Sequence, residues 1–377
     1  MSFRRYRAIA HKEFLHILRD TRSLMAALAI PLFLLLLFGY ALTLDVDRIP
    51  TYIYDHDRTP QSRDLAERFR GSRYFQVLGH VDDYRGIERA IDRNRILLGV
   101  VIPHEFAHKL EAGQVADVQL LLDGSDSNTA AIAMGYAQAL TQMYALELRT
   151  AAQNRKGAPR IAVPVDARIR VAYNEDVKSK NFIVPGLMAV ILMMLSGMLT
   201  SLTIAREWES GTMEQLISTP VRPVELLLGK LSAYFAVGVV DVVITLVVGV
   251  GVFEVPLRGS VLLLGVTSCI FLFGALCWGI FLSAATRSQA MAYQLSMVTS
   301  FLPAFLLSGF IFSIENMPRV IQAVSYIVPA RYFMAILRGI FLKGTGWGTL
   351  WFEILLLVVY AGVVFLLATR KMRLKVA

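Results

Sequence analysis

NFIVPGLMAVILMMLSGMLTSLTIA, Asn181 to Ala205, is a run of 25 uncharged residues between Lys180 and Arg206. About 20 residues of helix cross the hydrocarbon core of a bilayer, so this stretch predicts a membrane span. Working outward, 22 uncharged residues separate Arg22 from Asp45, 28 separate Arg258 from Arg287, and 27 separate Arg287 from Glu315. Two flawed runs, Leu231 to Phe253 interrupted by Asp241 and Leu350 to Thr369 holding Glu353, bring the expectation to six transmembrane helices. The composition agrees, with 55% hydrophobic residues and a mean hydropathy of +0.54, outside the soluble range. The first run is longer than the apolar region of a secretory signal, about 7–15 residues, and reads as a retained helix.

Charge sets the expected orientation. Residues 1–22 carry Arg4, Arg5, Arg7, Lys12, Arg19 and Arg22 against Glu13 and Asp20, and Arg370, Lys371, Arg373 and Lys375 follow the last span. Basic flanks face the cytoplasm, so both termini are expected there. Asp45 to Lys178 then lies outside, with 18 basic and 19 acidic residues, a balance of −1. The formal net charge of +9 therefore comes from the membrane flanks and implies no nucleic-acid face. Cys269 and Cys277 fall inside the fourth span and read as packing residues rather than a disulfide framework.

The expected fold is a polytopic α-helical membrane protein with a large external α/β domain between the first and second spans. Residues 1–22 place Phe3, Tyr6, Ala10, Phe14, Ile17 and Leu18 at helical spacing, an amphipathic interface helix that serves as an anchor or as a partner's seat. Residues 23–44 are the first span, and 45–180 the external domain. There β-like runs (Thr51–Asp55, Phe75–Val81, Ile96–Pro103, Val118–Ser125) alternate with helical patterns (Gln61–Arg70, Asp83–Arg93, His104–Ala112, Ser127–Asn154). Asp55, His56 and Asp57, and Asp123, Ser125 and Asp126, lack ligand spacing and read as strand-end turns, so no metal is expected. Residues 181–377 hold the remaining spans, with residues 313–344 broken by Pro318 and Pro329 into an outer re-entrant hairpin that includes Arg331 and Tyr332.

One segment departs from the positive-inside pattern. Ala205 to Lys230 carries Arg206, Arg222 and Lys230 against Glu207, Glu209, Glu214 and Glu225, a balance of 3 − 4 = −1 on an expected cytoplasmic loop. As a helix over 206–220 it places Trp208, Met213, Leu216 and Ile217 on one side and Glu207, Ser210 and Glu214 on the other, a pattern suited to a groove on a soluble partner. Gly211 reads as a tight turn or a helix-flank glycine.

REWESGTMEQLISTPVRPVELLLGK, Arg206 to Lys230, resembles the loop between the second and third spans of ABC-2 type transporter permeases. KEFLHILRD (Lys12–Asp20), IPLFLLLLFGY (Ile30–Tyr40), LSGFIF (Leu307–Phe312) and MPRVIQAVSYIVPARYF (Met317–Phe333) extend the likeness to essentially the whole chain. It resembles in particular bacterial multidrug efflux permeases that pair two homologous membrane subunits with a separate ATPase. The resemblance implies that the loop docks in a cleft of that ATPase, through Arg206, Glu207, Trp208, Glu209, Gly211, Thr212, Glu214 and Pro220. It also implies a second permease copy or homologue as partner, and membrane lipid and an amphiphilic substrate as further contacts. No Gly-rich phosphate loop appears in the sequence, so the chain is not expected to be an enzyme, and ATP and Mg are expected on the partner.

Met188, Met193, Met194, Met198, Met291 and Met297 supply adaptable apolar surface for a substrate pathway, or ordinary packing. Asp241, an ionisable group within a span, reads as part of that pathway, as an ion-coupling site of a secondary transporter, or as a group bonded to a neighbouring helix. A permease exporting lipid or polysaccharide is a further alternative, but the resemblance implies that such exporters lack so large an external insertion, which favours drug efflux.

Overall fold

The computed structural model describes residues 2–42, 48–155 and 178–372. It divides into two compact units, Met1–Thr43 with Arg170–Ala377, and Leu44–Ile169. The tail residues Arg373 and Lys375 lie outside the described residues.

The first unit is helical. α1 (Phe3–Arg19) and α2 (Thr21–Ala41) precede the insertion. After it come α7 (Lys180–Glu209), α8 (Thr212–Ile217), α9 (Pro223–Gly251), α10 (Val261–Thr286), α11 (Gln289–Ser296), α12 (Leu302–Leu306), α13 (Arg319–Ser325), α14 (Pro329–Arg338) and α15 (Trp347–Lys371). α7 is the axis of the unit: 22 of its 30 residues are buried, and its uncharged run packs against α2, α9, α10, α11 and α14.

Among the described residues four helices are long and apolar enough to cross a membrane: α7, α9, α10 and α15. A fifth follows if the pair α13 and α14 counts as one broken span, which gives several membrane-spanning helices, four to five by length and composition among the described residues. α2 is a further helix of 21 residues, with Ala27–Ala41 as its apolar stretch among the described residues. The run after Arg287 is interrupted by a π-helical stretch, Met297–Phe301, and ends at Leu306. Pro303 lacks the N–H that would bond the carbonyl one turn earlier, and a widened turn is how a helix absorbs that loss.

Residues 313–344, where a hairpin is expected, contain a sharp bend. The axes of α13 and of the helix continuing α14 meet at 83°. Pro318 caps α13 and Pro329 begins α14. The corner is held by two of the predicted residues: Arg331 Nη1 donates to Ser325 Oγ at 2.5 Å and lies over the Tyr326 ring, and Tyr332 Oη donates to the Tyr326 carbonyl at 2.6 Å.

The second unit is a small α/β fold. β1 (Ile49–Asp55), β2 (Phe75–His80), β3 (Leu98–Ile102) and β4 (Gln119–Leu122) form a sheet in the order β2-β1-β3-β4, parallel except for β4 against β3. α3 (Pro60–Gly71), α5 (Phe106–Glu111) and α6 (Ser127–Arg155) cover one face, while α4 (Tyr84–Asp92) packs Ile87 and Ala90 on the other. Every residue of β3 is buried, as a central strand with both faces covered requires. The Asp-rich stretch is a turn, as expected: Asp55 Oδ1 accepts from the amides of Asp57 and Arg58, and Asp57 Oδ2 accepts from Thr59 Oγ1 and the Ala107 amide.

α7 and α10 approach closely because small residues meet at their crossing. A Cβ on Gly279 would lie 2.1 Å from Thr200 Oγ1 and 2.4 Å from the Gly197 carbonyl oxygen. Thr200 Oγ1 also donates across the helices to the Leu276 carbonyl at 2.9 Å. Gly279→Ala is therefore predicted to destabilise the purified protein by about 1–3 kcal/mol. Gly265→Ala, whose Cβ meets nothing within 4 Å, leaves stability unchanged, and thermal unfolding in detergent distinguishes the two.

Candidate coupling site

The acidic loop is two pieces rather than one helix. α7 continues through Arg206, Glu207, Trp208 and Glu209 as its last turn, and α8 begins at Thr212. The break is Gly211, whose φ of +71° is a left-handed conformation that costs a residue with a Cβ about 1–2 kcal/mol. Ser210 and Thr212 both turn their hydroxyls back onto the Glu207 carbonyl. The expectation of a continuous helix over 206–220 is thereby corrected, and with it the wheel that grouped Glu207 with Ser210 and Glu214.

Glu207 points inward and is only 8% exposed. There it meets two residues that the helical wheel does not bring together. Lys230, 2% exposed on α9, donates from Nζ to Glu207 Oε1 and to Glu13 Oε1 of α1, each at 2.9 Å. Lys12 Nζ stands 3.6 Å from the same two carboxylate oxygens and remains largely in solvent. Two carboxylates thus face two ammonium groups, one buried and one at the rim. Burial alone would push the Glu13 carboxyl up, but the charge and hydrogen bond of Lys230 outweigh it and hold it below its ordinary value.

Other contacts tie α1 to the beginning of α9. Glu225, buried at the first turn, accepts from the Ser2 amide at 2.5 Å and the Arg222 amide at 3.1 Å. Arg5 donates to the Pro220 carbonyl. Gly229 lets the two helices touch, since a Cβ there would lie 2.6 Å from Ile9 Cγ2.

The remaining loop residues face the turn between α10 and α11. Glu209 accepts from the Gln289 amide at 2.8 Å, Arg206 Nε approaches Gln289 Oε1 at 3.4 Å, and the Trp208 ring lies under the Arg287 guanidinium, 4.3 Å from its centroid. Met213 packs beneath α8. What this leaves in solvent is Gly211, Thr212, Glu214 and Pro220, together with Gln215, Ser218 and Thr219. The predicted site residues therefore separate by role: Glu207 is internal, Arg206, Trp208 and Glu209 brace the loop, and the rest form its free surface.

The predicted pathway residues are less concentrated. Met188, Met193 and Met194 lie in the helical core, Met291 and Met297 are on the surface, and Met198 lines a cavity of about 210 Å³. Asp241 is buried in α9.

The sequence pattern described as "ABC-2 family transporter protein" matches residues 22–370. The chain belongs to the ABC-2 transporter family. It is similar to "Probable multidrug ABC transporter permease YbhS" of Escherichia coli K12, 38% identical over 345 residues, which cover 91% of this chain and 90% of that protein. "Probable multidrug ABC transporter permease YbhR" of the same organism is 32% identical over 356 residues, 93% of this chain and 94% of that protein. "Inner membrane transport permease YhhJ", also from that organism, is 28% identical over 290 residues, covering 76% and 75%. In this ABC-2 chain, Glu13, Lys230 and Glu225 are the site residues that pattern reading misses. The available signals were a lone glutamate in a basic helix and a lone lysine at the threshold of an apolar run.

Lys230→Met leaves two buried carboxylates without their cation and is predicted to destabilise the protein by about 3–5 kcal/mol, against no measurable change for Lys12→Met at the rim. Thermal unfolding measures both. Because the Glu13 value is depressed, its contribution to holding α1 is present above pH 4.5 and is lost only as pH falls below that value. Hydrogen-exchange protection of the α1 amides, taken relative to their intrinsic rates, should fall below pH 4.5, and protection already lost at neutral pH would contradict the assignment.

Proposed function

We propose that this chain is the permease subunit of an ABC-2 type exporter, forming a transmembrane pathway for drugs or other amphiphilic compounds and powered by ATPase subunits on separate chains. The observation that carries the reading is the exposed α8 surface, set on a rigid base within a chain whose family similarity spans residues 22–370. The names of its permease relatives support the substrate class, and the occurrence of two such similar chains in one organism supports a second permease as partner.

In this reading both termini and α8 face the cytoplasm of a bacterial inner membrane and the α/β unit lies outside, the orientation that the basic flanks favour. α2 and the broken helix from α11 to α12 complete six crossings, each tolerated as a short or interrupted helix because it packs against protein. ATPase closure displaces α8, and because α8 is joined to α7 by a tight turn and α7 to α9 by a buried ion pair, both spans move with it. Rotation of the two permeases against each other then changes which side of the membrane the pathway opens to.

The docking face is Gly211, Thr212, Glu214 and Pro220. Glu214→Lys reverses its one free carboxylate and is predicted to reduce ATPase recovery in a pull-down from native membranes about tenfold while leaving the permease folded. Glu207→Gln, within the buried base, is predicted to lower stability before it lowers association. Full ATPase recovery with Glu214→Lys would contradict the docking face, and recovery of no ATPase with the unaltered chain would contradict the reading as a whole.

A further inference from the structure

α1 presents two faces with different partners. Ile9 and Glu13 turn onto α9, where Ile9 meets Gly229 and Glu13 meets Lys230. Glu13 is the only carboxylate between Phe3 and Arg19, so its use there leaves the outward face with no acid. That face exposes Arg4, Arg5, Arg7, Lys12 and Arg19. Arg5 is engaged by the Pro220 carbonyl and Glu225, and Lys12 stands beside Glu13 and Glu207. Arg4, Arg7 and Arg19 have no ion pair among the described residues.

The same outward face exposes Phe3, Phe14, Leu15 and Leu18. At about 100° per residue, Phe3, Phe14 and Leu18 share an arc of about 60°, and Arg4, Lys12 and Arg19 share an adjoining arc of about 80°. One edge is apolar and the next is basic, the division of a helix that lies where acyl chains meet headgroups. Its neighbours fix that level. α9, long and apolar enough to cross a membrane, begins against α1 at Glu225 and Gly229, and α2, which follows after Asp20, exposes Met25, Ile30 and Phe33.

We propose that the outward face of α1 is a binding surface for anionic phospholipid, with Arg4, Arg7 and Arg19 on headgroup phosphates and Phe3, Phe14 and Leu18 among the first methylenes. A guanidinium binds a phosphate through paired N–H donors, whichever lipid carries it. A zwitterionic headgroup then sets its own cation beside the arginines, and no carboxylate on this face receives it. An anionic headgroup brings the phosphate without that cation, so the preference follows from the missing acid as much as from the arginines. Nothing in this surface depends on what the spans transport.

The test places the full chain, with Phe14→Trp as reporter, in lipid nanodiscs of phosphatidylcholine and phosphatidylglycerol in equal parts. Bromine is carried by one lipid or the other, so the charge composition never changes. Fluorescence quenching in excess of that of the unaltered chain, which has four tryptophans of its own, reports the lipid beside α1. Brominated phosphatidylglycerol is expected to quench the reporter about threefold more than brominated phosphatidylcholine, and the ratio to fall to about one with Arg4→Gln, Arg7→Gln and Arg19→Gln together. About 0.5 M salt is expected to lower the ratio with the arginines intact, which decides the matter if the triple variant does not fold. Equal quenching by the two lipids overturns the surface, as does a preference that survives the triple variant or, where that variant does not fold, the salt. Equal quenching together with loss of ATPase recovery in the triple variant would overturn it in favour of a seat for a soluble partner.

Discussion

The arrangement on the α1 side of the helical unit depends on a buried lysine with two carboxylates. Removing an ammonium group from water is expensive, and only close, well-directed acceptors offset it. Lys230 has two, contributed by elements far apart in sequence, and the rest of the local structure follows from satisfying it. α1 must lie along the start of α9 to bring Glu13 within reach. α7 must extend one turn beyond the apolar run to bring Glu207. Once Glu207 is held there, the chain has to reverse at once, and Gly211 supplies the left-handed residue that the reversal needs.

This constraint explains why so short a helix as α8 can act as a defined surface. Six residues of helix have little intrinsic stability in water. Here α8 is bounded by Gly211 on one side and by the Pro220–Pro223 stretch on the other, with Met213 buried beneath it and both flanking long helices clamped to α1. The free edge is therefore rigid because its supports are rigid. Deeper in the unit α7 meets α10 through Gly197, Thr200 and Gly279, so a displacement at the loop is carried along α7 as a body rather than dissipated at its first turn.

Much of this was legible in the residues because it is local. Alternating apolar runs placed all four strands and the helices between them, and the Asp-rich turn at Asp55 and Asp57 was recognisable because short acidic side chains bond their own backbone. The loop between Ala205 and Lys230 was recognisable by its wrong-sign charge. The ion pair was not, since it joins residues 217 apart and a helical wheel assigns Glu207 by spacing alone, blind to the glycine that ends the wheel. The interruption after Arg287 was hidden for a related reason: a charge-free run measures polarity, whereas Pro303 and a widened turn decide where the helix is broken. Asp241 was visible as an anomaly, but its lack of a partner could be learned only from the fold.

The central claim is that α1 and the α8 loop move as one piece. Spin labels at Arg7 and Ser218, both exposed, would report their separation by pulsed electron resonance in the assembled transporter with and without bound ATP. The account predicts a separation that stays within about 2 Å between the two states, and a broadened distribution in Lys230→Met. A change of about 5 Å or more in the unaltered protein, the size of a full helical turn, would show that α1 and the loop are independent and that the buried ion pair does not couple them.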